Sequence, residues 1–515
     1  MRALLPSLSN LEFFMSAFDN ERYLEQQKAA ILARVNESGR RLYLEFGGKL
    51  IDDYHAARVL PGFDPNVKLQ LLQQLSRKAD IILCIHAGDI ERKKIRGDLG
   101  ITYDNDSLRL IDELRMRHVD VMAVVITRFS GEPSAEAFKQ RLEKHGISVF
   151  VHNGIRDYPN NIDYVVSERG FGANPFIPVT QPLVVVTGPG PSSGKMGTCL
   201  SQIYHEYQRN GQAYYAKFET FPVWNLPLSH PVNIAYEAAT ADLRDANAMD
   251  SFHYEAYGLP AVNYNRDLQA FPLLKTVLSR ITGKECKYQS PTDMGVNCIA
   301  AGIIDDKAVR EAATQEIARR YFHCLADYNL GRGSEETMMR VEEIVSKAKI
   351  DPSKRDVVQA ARQAAKDCEA KGKGNEGIYC GAALKLHDGQ IVTGKNSTLM
   401  HAASSMILNA IKILAQVPDS QHLLLPDIME SVANFKVGLG SARHAGLDVS
   451  ETLITLVVSA NRDLYAKRAL DCINALQHCD MHLTHIPSPG DEAGLRRLGC
   501  SYTYDPVVPS KNLFV

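Results

Sequence analysis

Short, almost wholly apolar runs recur through the first three hundred residues, each closed by a polar tip and followed by helical spacing. They are RLYLEF (41–46), ADIILCIHAGD (79–89), VDVMAVVITRF (119–129), ISVFVHN (147–153), LVVV (183–186) and AYYAKF (213–218). IDYVVSE (162–168) predicts a further strand, and LPAVNYNRDL (259–268) a weak one. Between them, 67–75, 105–115, 134–144 and 194–210 carry the three-and-four spacing of helices. Strands that are apolar along their whole length suit a sheet covered on both faces. Their alternation with helices predicts an α/β domain with a mostly parallel sheet.

One strand-to-helix passage departs from the rest. In QPLVVVTGPGPSSGKMGTCLSQIYHEYQRNGQAYYAKF (181–218) the strand ends in two glycines, two prolines and two serines. A lysine and a helix follow, then the next strand. Glycines let backbone amides turn inward around an anion, and a helix start adds unpaired donors and partial positive charge. Gly188, Gly190, Ser192, Ser193, Gly194, Lys195 and Thr198 are therefore candidate phosphate-binding residues in a P-loop-like βαβ unit, with ATP and Mg²⁺ as the expected cofactors. The match to GxxxxGK[ST] is inexact: five residues separate Gly188 from Gly194, and Met196 stands where the metal-binding hydroxyl belongs. The competing reading is a Pro/Gly-rich turn whose lysine is only solvated.

Ligands of parallel sheets bind beyond the strands' carboxyl ends. There the sequence offers Gly47, Gly48 and Lys49 after the first strand and His86 and Asp89 after the second, all candidates for substrate binding. Glu45, Thr127, Arg128, His152 and Asn153 read as ordinary loop polarity. Glu219, after the strand 213–218, and Asp267 are candidate acids beside a metal–phosphate, with Lys195 completing the candidate catalytic set. Asn265, Arg266, Thr292 and Asp293 lie in polar turns at 263–267 and 290–297 and join the substrate candidates. Asp242, Asp245, Asp250, His253 and Glu255 crowd one stretch, read first as helix capping and a solvated acidic face.

The chain continues as mostly helix over 308–346, broken at Gly331-Arg332-Gly333, and a connector at 347–354. The order over 378–415 is strand, Asp388-Gly389 hairpin, strand and apolar helix. It resembles the core of the cytidine deaminase-like fold, with Gly394-Lys395-Asn396 and His401 in similar places. Ala403 stands where that fold has its catalytic glutamate, and no PCxxC follows, so no zinc is expected. LITLVVSAN (453–461) as a strand, a helix over 462–477 and DMHLTHIPSP (480–489) continue the α/β style. The expected division is 1–180, 181–349 and 350–515.

Composition narrows the classes. The chain has 515 residues, 45% hydrophobic and 23% charged, with formal net charge −2. That balance gives no electrostatic case for nucleic acid or an anionic membrane. No apolar run approaches the roughly 20 residues of a membrane helix, and MRALLPSLSNLEFF lacks the long apolar stretch of a signal peptide. Ten cysteines without a CxxC pair read as reduced thiols in a cytoplasmic protein. The Pro-rich, terminally apolar tail predicts docking on a surface or a second subunit, hence a homo-oligomer acting on a small molecule.

FGGKLIDDYHAARVLPGF, IHAGDIERKKIRGDLGITYD, TGPGPSSGKMGTCL, FPVWNLPLSHPVNIAYEAATADL, VNYNRD and YQSPTDMGVN together resemble the bacterial domain of unknown function 1846 family, over nearly the whole chain. The resemblance implies a P-loop-like α/β region, a helical middle segment and a C-terminal deaminase-like subdomain. It implies no activity. Residues therefore carry the two functional expectations: a nucleotide-dependent kinase or ligase of a small metabolite, or a non-catalytic phosphometabolite or nucleotide sensor.

Overall fold

The computed structural model describes residues 16–38, 41–96, 99–438 and 446–509. The N-terminal stretch weighed above as a leader, and the last six residues of the tail, lie outside them.

The apolar runs become one seven-stranded sheet. Its strands are Arg41–Phe46 (β1), Ala79–His86 (β2), Val121–Phe129 (β3), Val149–Asn153 (β4), Leu183–Thr187 (β5), Ala213–Phe218 (β6) and Gly295–Val296 (β7). They pair in the order β7-β6-β1-β5-β2-β3-β4, every pair parallel. Tyr43, Ile82, Cys84, Val125, Val184, Val186 and Tyr215 share one face, packed against Cys199, Leu200 and Ile203 of the helix Lys195–Gln208. Leu200 and Ile203 are almost wholly buried, each worth about 1.5–3 kcal/mol. Near its other end that helix is fixed by Glu206, which pairs with Arg41 and accepts the Tyr43 hydroxyl at 3.2 Å. Its axis, and so the position of its first turn, is thereby set against β1.

The chain divides into two compact units, Met1–Thr314 and Gln315–Val515. The break expected near residue 180 is not where the chain divides. β5 inserts between β1 and β2, so residues on both sides of that point build one sheet.

The second unit holds Gly381–Lys385 (β8), Ile391–Lys395 (β9), Asp480–Leu483 (β10) and Ser501–Tyr504 (β11), ordered β9-β8-β10-β11. β8 runs antiparallel to β9 and β10, and β10 runs parallel to β11. The helix Ala402–Leu414 buries Ala402, Ala403, Met406, Ile407, Ala410 and Ile411.

Two predicted strands are helices. Residues 162–168 form the short helix Ile162–Val165, capped by the Asn161 side chain on the Tyr164 amide. Residues 453–461 lie in the helix Val449–Ala460, which a reciprocal Asp448–Glu451 capping box starts. Thr452, Thr455, Leu456 and Ser459 are buried at helical spacing; local capping and burial outweigh the strand preference of the β-branched run. Among the described residues no helix is long and apolar enough to cross a membrane.

Candidate functional site at the carboxyl edge of the large sheet

β2 and β5 are neighbours, but the chain leaves them in opposite directions: from β2 toward β3, from β5 past β1 to β6. Such a reversal opens a crevice at the carboxyl edge, where open α/β sheets bind ligands. The Gly188–Gly194 loop lies at this point.

The loop is held from the β2–β3 side. The Thr127 hydroxyl donates to the Ser193 carbonyl oxygen at 2.8 Å and lies 3.3 Å from that of Ile85. Gly194 sits at φ +90°, and a Cβ there would come within 2.7 Å of three Thr127 side-chain atoms. Only glycine meets both demands. The helix begins at Lys195 with no side-chain cap, so its first-turn amides have no acceptor within the helix. Lys195 arches back over the loop, its Nζ 3.3 Å from the Gly190 carbonyl and 3.4 Å from Ser193 Oγ. Ser193 is buried. Thr198 is 1% exposed and its hydroxyl faces Cys84 Sγ at 3.4 Å, under the helix rather than over the loop. Burial pushes the Cys84 thiol up to about 12, with Thr198 and Lys195 opposing.

A second cluster lies across β1 and β6. Lys217 Nζ is 2.5 Å from Asp267 Oδ2 and 2.6 Å from Glu219 Oε1. Glu45 stands beside Lys217 in register and accepts the Tyr215 hydroxyl at 2.6 Å. Side chains alternate along a strand. Glu45 and Lys217, two residues past Tyr43 and Tyr215, therefore share their face, the one carrying the helix that starts at Lys195. The charges of Glu45 and Lys195 both reach Cys84 and Cys199, between the loop and the cluster. Gly47 lets β1 close on β6: its amide donates to Phe218 O at 2.8 Å, and a Cβ would stand 3.1 Å from Glu219 Oε1.

Electrostatics here are set by burial. Burial pushes the Glu219 carboxyl up, to about 7; Lys217 draws it down and Asp267 adds to the rise. Burial also works against charge on Lys217, but Asp267, Glu219 and Glu45 outweigh it, and the ammonium is held above its ordinary range. The cluster can hold a proton on a carboxylate near neutral pH beside a permanent cation.

Thus Gly188, Gly190, Ser192, Ser193, Gly194, Lys195 and Thr198 form one loop and first turn. Glu219 and Asp267 meet at Lys217. The other candidates are engaged as follows. His86 Nδ1 accepts the Asp89 amide at 3.1 Å, capping the five-residue helix Ala87–Glu91, and Asp89 pairs with Arg92 at 2.6 Å. Burial holds the His86 imidazole low. Gly48 is at φ +68°, and a Cβ there would stand 3.0 Å from Nζ of the wholly buried Lys68, which pairs with Asp53 at 2.8 Å; Lys49 is half-buried and its charge also acts on that carboxylate. Asn265 bonds the backbone of Arg244 and Ala246, and Arg266 pairs with Asp245. Thr292 donates to Asp250 Oδ2 at 2.6 Å and accepts from Asn263, and Asp293 accepts the Gln289 amide. Among the described residues no three His, Cys, Asp or Glu side chains gather as a metal site; Asp250 is a buried cap of the helix Ser251–Tyr257.

Sequence reasoning passed over Glu45, Lys217, Tyr215 and Thr127. A signal existed for the first two: each is the one charged residue near the end of an apolar strand, at the fifth position of RLYLEF and AYYAKF.

Residues 16–349 match the domain of unknown function DUF1846, N-terminal, and residues 353–514 match its C-terminal counterpart. A UPF0371 protein of Clostridium tetani (strain Massachusetts / E88) is 50% identical over 497 residues, covering 96% of this chain and 99% of the relative. A UPF0371 protein of Clostridium botulinum (strain Alaska E43 / Type E3) is 50% identical over 498 residues, with the same shares. One from Clostridioides difficile (strain 630) is 48% identical over 497 residues, again 96% and 99%. With both halves matched and relatives this similar from end to end, the chain belongs to the DUF1846 family.

Proposed function

We propose that the Gly188–Lys195 loop binds the phosphates of a nucleotide, as a P-loop-like unit, and that the protein transfers a phosphoryl group, or drives a ligation, on a small metabolite. The observation that carries this reading is the uncapped helix start with Lys195 arched over a glycine loop at the sheet's reversal point. First-turn amides, the helix dipole and the ammonium act together on an anion. Thr198 faces Cys84, and Lys217 engages Glu219 and Asp267, so Mg²⁺ brought with the nucleotide would rely on ligands other than these side chains while supplying charge neutralisation on the phosphates. Glu219, poised near neutrality, accepts the proton of the attacking substrate hydroxyl as the new P–O bond forms and the bond to the nucleotide breaks. Lys217 and Asp267 position it.

Incubating the protein with ATP, Mg²⁺ and a metabolite extract, and following ADP, AMP and new phosphorylated or ligated products, tests this. No turnover with any fraction removes the enzyme reading. One observation favours a sensor instead: Met196 replaces the metal-binding hydroxyl. Nucleotide binding without turnover would select it.

The second unit is read as deaminase-like by its hairpin order and Gly394-Lys395-Asn396 turn, without the zinc chemistry. Ala403 replaces the glutamate, and His401 commits Nδ1 to Asp491 at 2.6 Å. Ten free cysteines support a reducing, cytoplasmic setting. The homo-oligomer expected from the tail remains part of the proposal.

A further inference from the structure

Arg128 follows Thr127, whose hydroxyl holds the loop, at the carboxyl end of β3. Its φ is +51°, and among the described non-glycine residues with positive φ it is alone inside a strand. The β3–β4 register shifts between Thr127 and Phe129, which makes Arg128 the bulged residue. Bulges beside ligand sites re-aim a side chain, and a left-handed conformation at a long side chain persists only where its surroundings impose it.

The side chain that this backbone presents is exposed, and it pairs with no carboxylate among the described residues. Other arginines of the first unit differ: Arg92 is paired with Asp89, Arg96 with Asp106 and Arg109 with Asp52. After burial, Arg128 is the largest influence on the Tyr158 phenol, which also responds to Glu45. Arg128 also acts on the His86 imidazole at the end of β2, the strand beside β5.

Resting on the phosphate-loop reading above, we propose that Arg128 is a second phosphate-binding residue, working with Lys195 on either side of the Thr127–Ser193 contact. The ligand is then a polyphosphate, either a nucleoside di- or triphosphate or pyrophosphate, rather than a lone phosphate. A single phosphate is satisfied by the helix start and Lys195. A second cation, whose fork matches phosphate oxygens, gains from a second phosphoryl group.

Calorimetric titration of the full chain with MgATP, MgADP, pyrophosphate and orthophosphate tests this in the parent, K195A, R128A, R128K and R128G. R128A weakens ATP, ADP and pyrophosphate by about tenfold or more and leaves orthophosphate within about twofold. R128K recovers part of the loss. R128G accepts the positive φ without strain, and shows the same loss in a chain that melts no lower than the parent. Equal weakening of orthophosphate overturns the polyphosphate assignment. Unchanged ATP and pyrophosphate binding in R128A, where K195A has lost it, overturns the role of Arg128 and leaves the loop intact. A parent that binds none of the four removes the phosphate-loop reading itself.

Discussion

The Thr127 hydroxyl donates to the Ser193 carbonyl oxygen across 2.8 Å, tying the end of β3 to the loop after β5. Thr127→Val keeps the side chain's shape and removes the donor. A buried carbonyl loses its partner, so stability should fall by about 1–2 kcal/mol, read as a lower urea midpoint. Anion affinity should fall with it, because the loop's outer wall is no longer pinned. Unchanged affinity in a destabilised chain would mean that the contact serves the fold alone.

Gly194 answers to Thr127 from the other side. Gly194→Ala places a methyl against Thr127 at a residue held at φ +90°. The expected cost is about 1–3 kcal/mol in stability, by denaturant titration, with a loss of nucleotide binding larger than that of Thr127→Val.

The Lys217 cluster predicts a pH dependence. The Glu219 carboxyl is raised to about 7 by burial, against the pull of Lys217. As a base it works deprotonated, so turnover should rise with pH through about 7, and Glu219→Gln should abolish both the rise and most of the rate. Lys217→Met leaves the buried Glu219 and the half-buried Asp267 without their cation and should cost about 3 kcal/mol. A pH–rate profile flat from 6 to 8 in the parent would remove Glu219 from the role.

Two buried histidines set a stability window. Burial lowers His152 and His485 from the ordinary 6.5 to about 4. Below about pH 6.5 the unfolded chain takes up protons that the folded chain refuses until about pH 4. Stability is therefore full above the upper value and is lost as pH falls toward the lower, by up to about 3 kcal/mol per histidine. Denaturant titrations at pH 7.5 and pH 5 should differ accordingly, and His485→Gln should shrink the difference. Glu219, raised to about 7, works in the opposite sense over this range, so a difference that His485→Gln leaves unchanged would contradict the burial argument.

Much of the architecture was legible because the strands of a covered parallel sheet are apolar throughout and stand out from amphipathic helices. What misled was local. In 453–461 the β-branched residues suggested a strand, while the decisive information was a cap at Asp448 and helical burial visible only after folding. The loop from Gly188 to Lys195 was legible from glycine, lysine and helix spacing. Glu219 and Asp267 stood out as acids in polar strand ends and turns, but their companions Glu45 and Lys217 did not. Glu45 and Lys217 are 172 positions apart, and only the insertion of β1 between β5 and β6 sets them side by side. His86, Asp89, Thr292 and Asp293 looked chemical because they sit in polar turns; their partners turn out to be backbone amides and neighbouring side chains.

The account stands on the amides of Gly194, Lys195 and Met196 closing around a phosphate. Hydrogen–deuterium exchange across residues 187–199, with and without saturating MgATP or pyrophosphate, reads those amides directly. The account predicts slowed exchange in that segment in the parent and none in K195A. Exchange that either ligand leaves unchanged in the parent would contradict it.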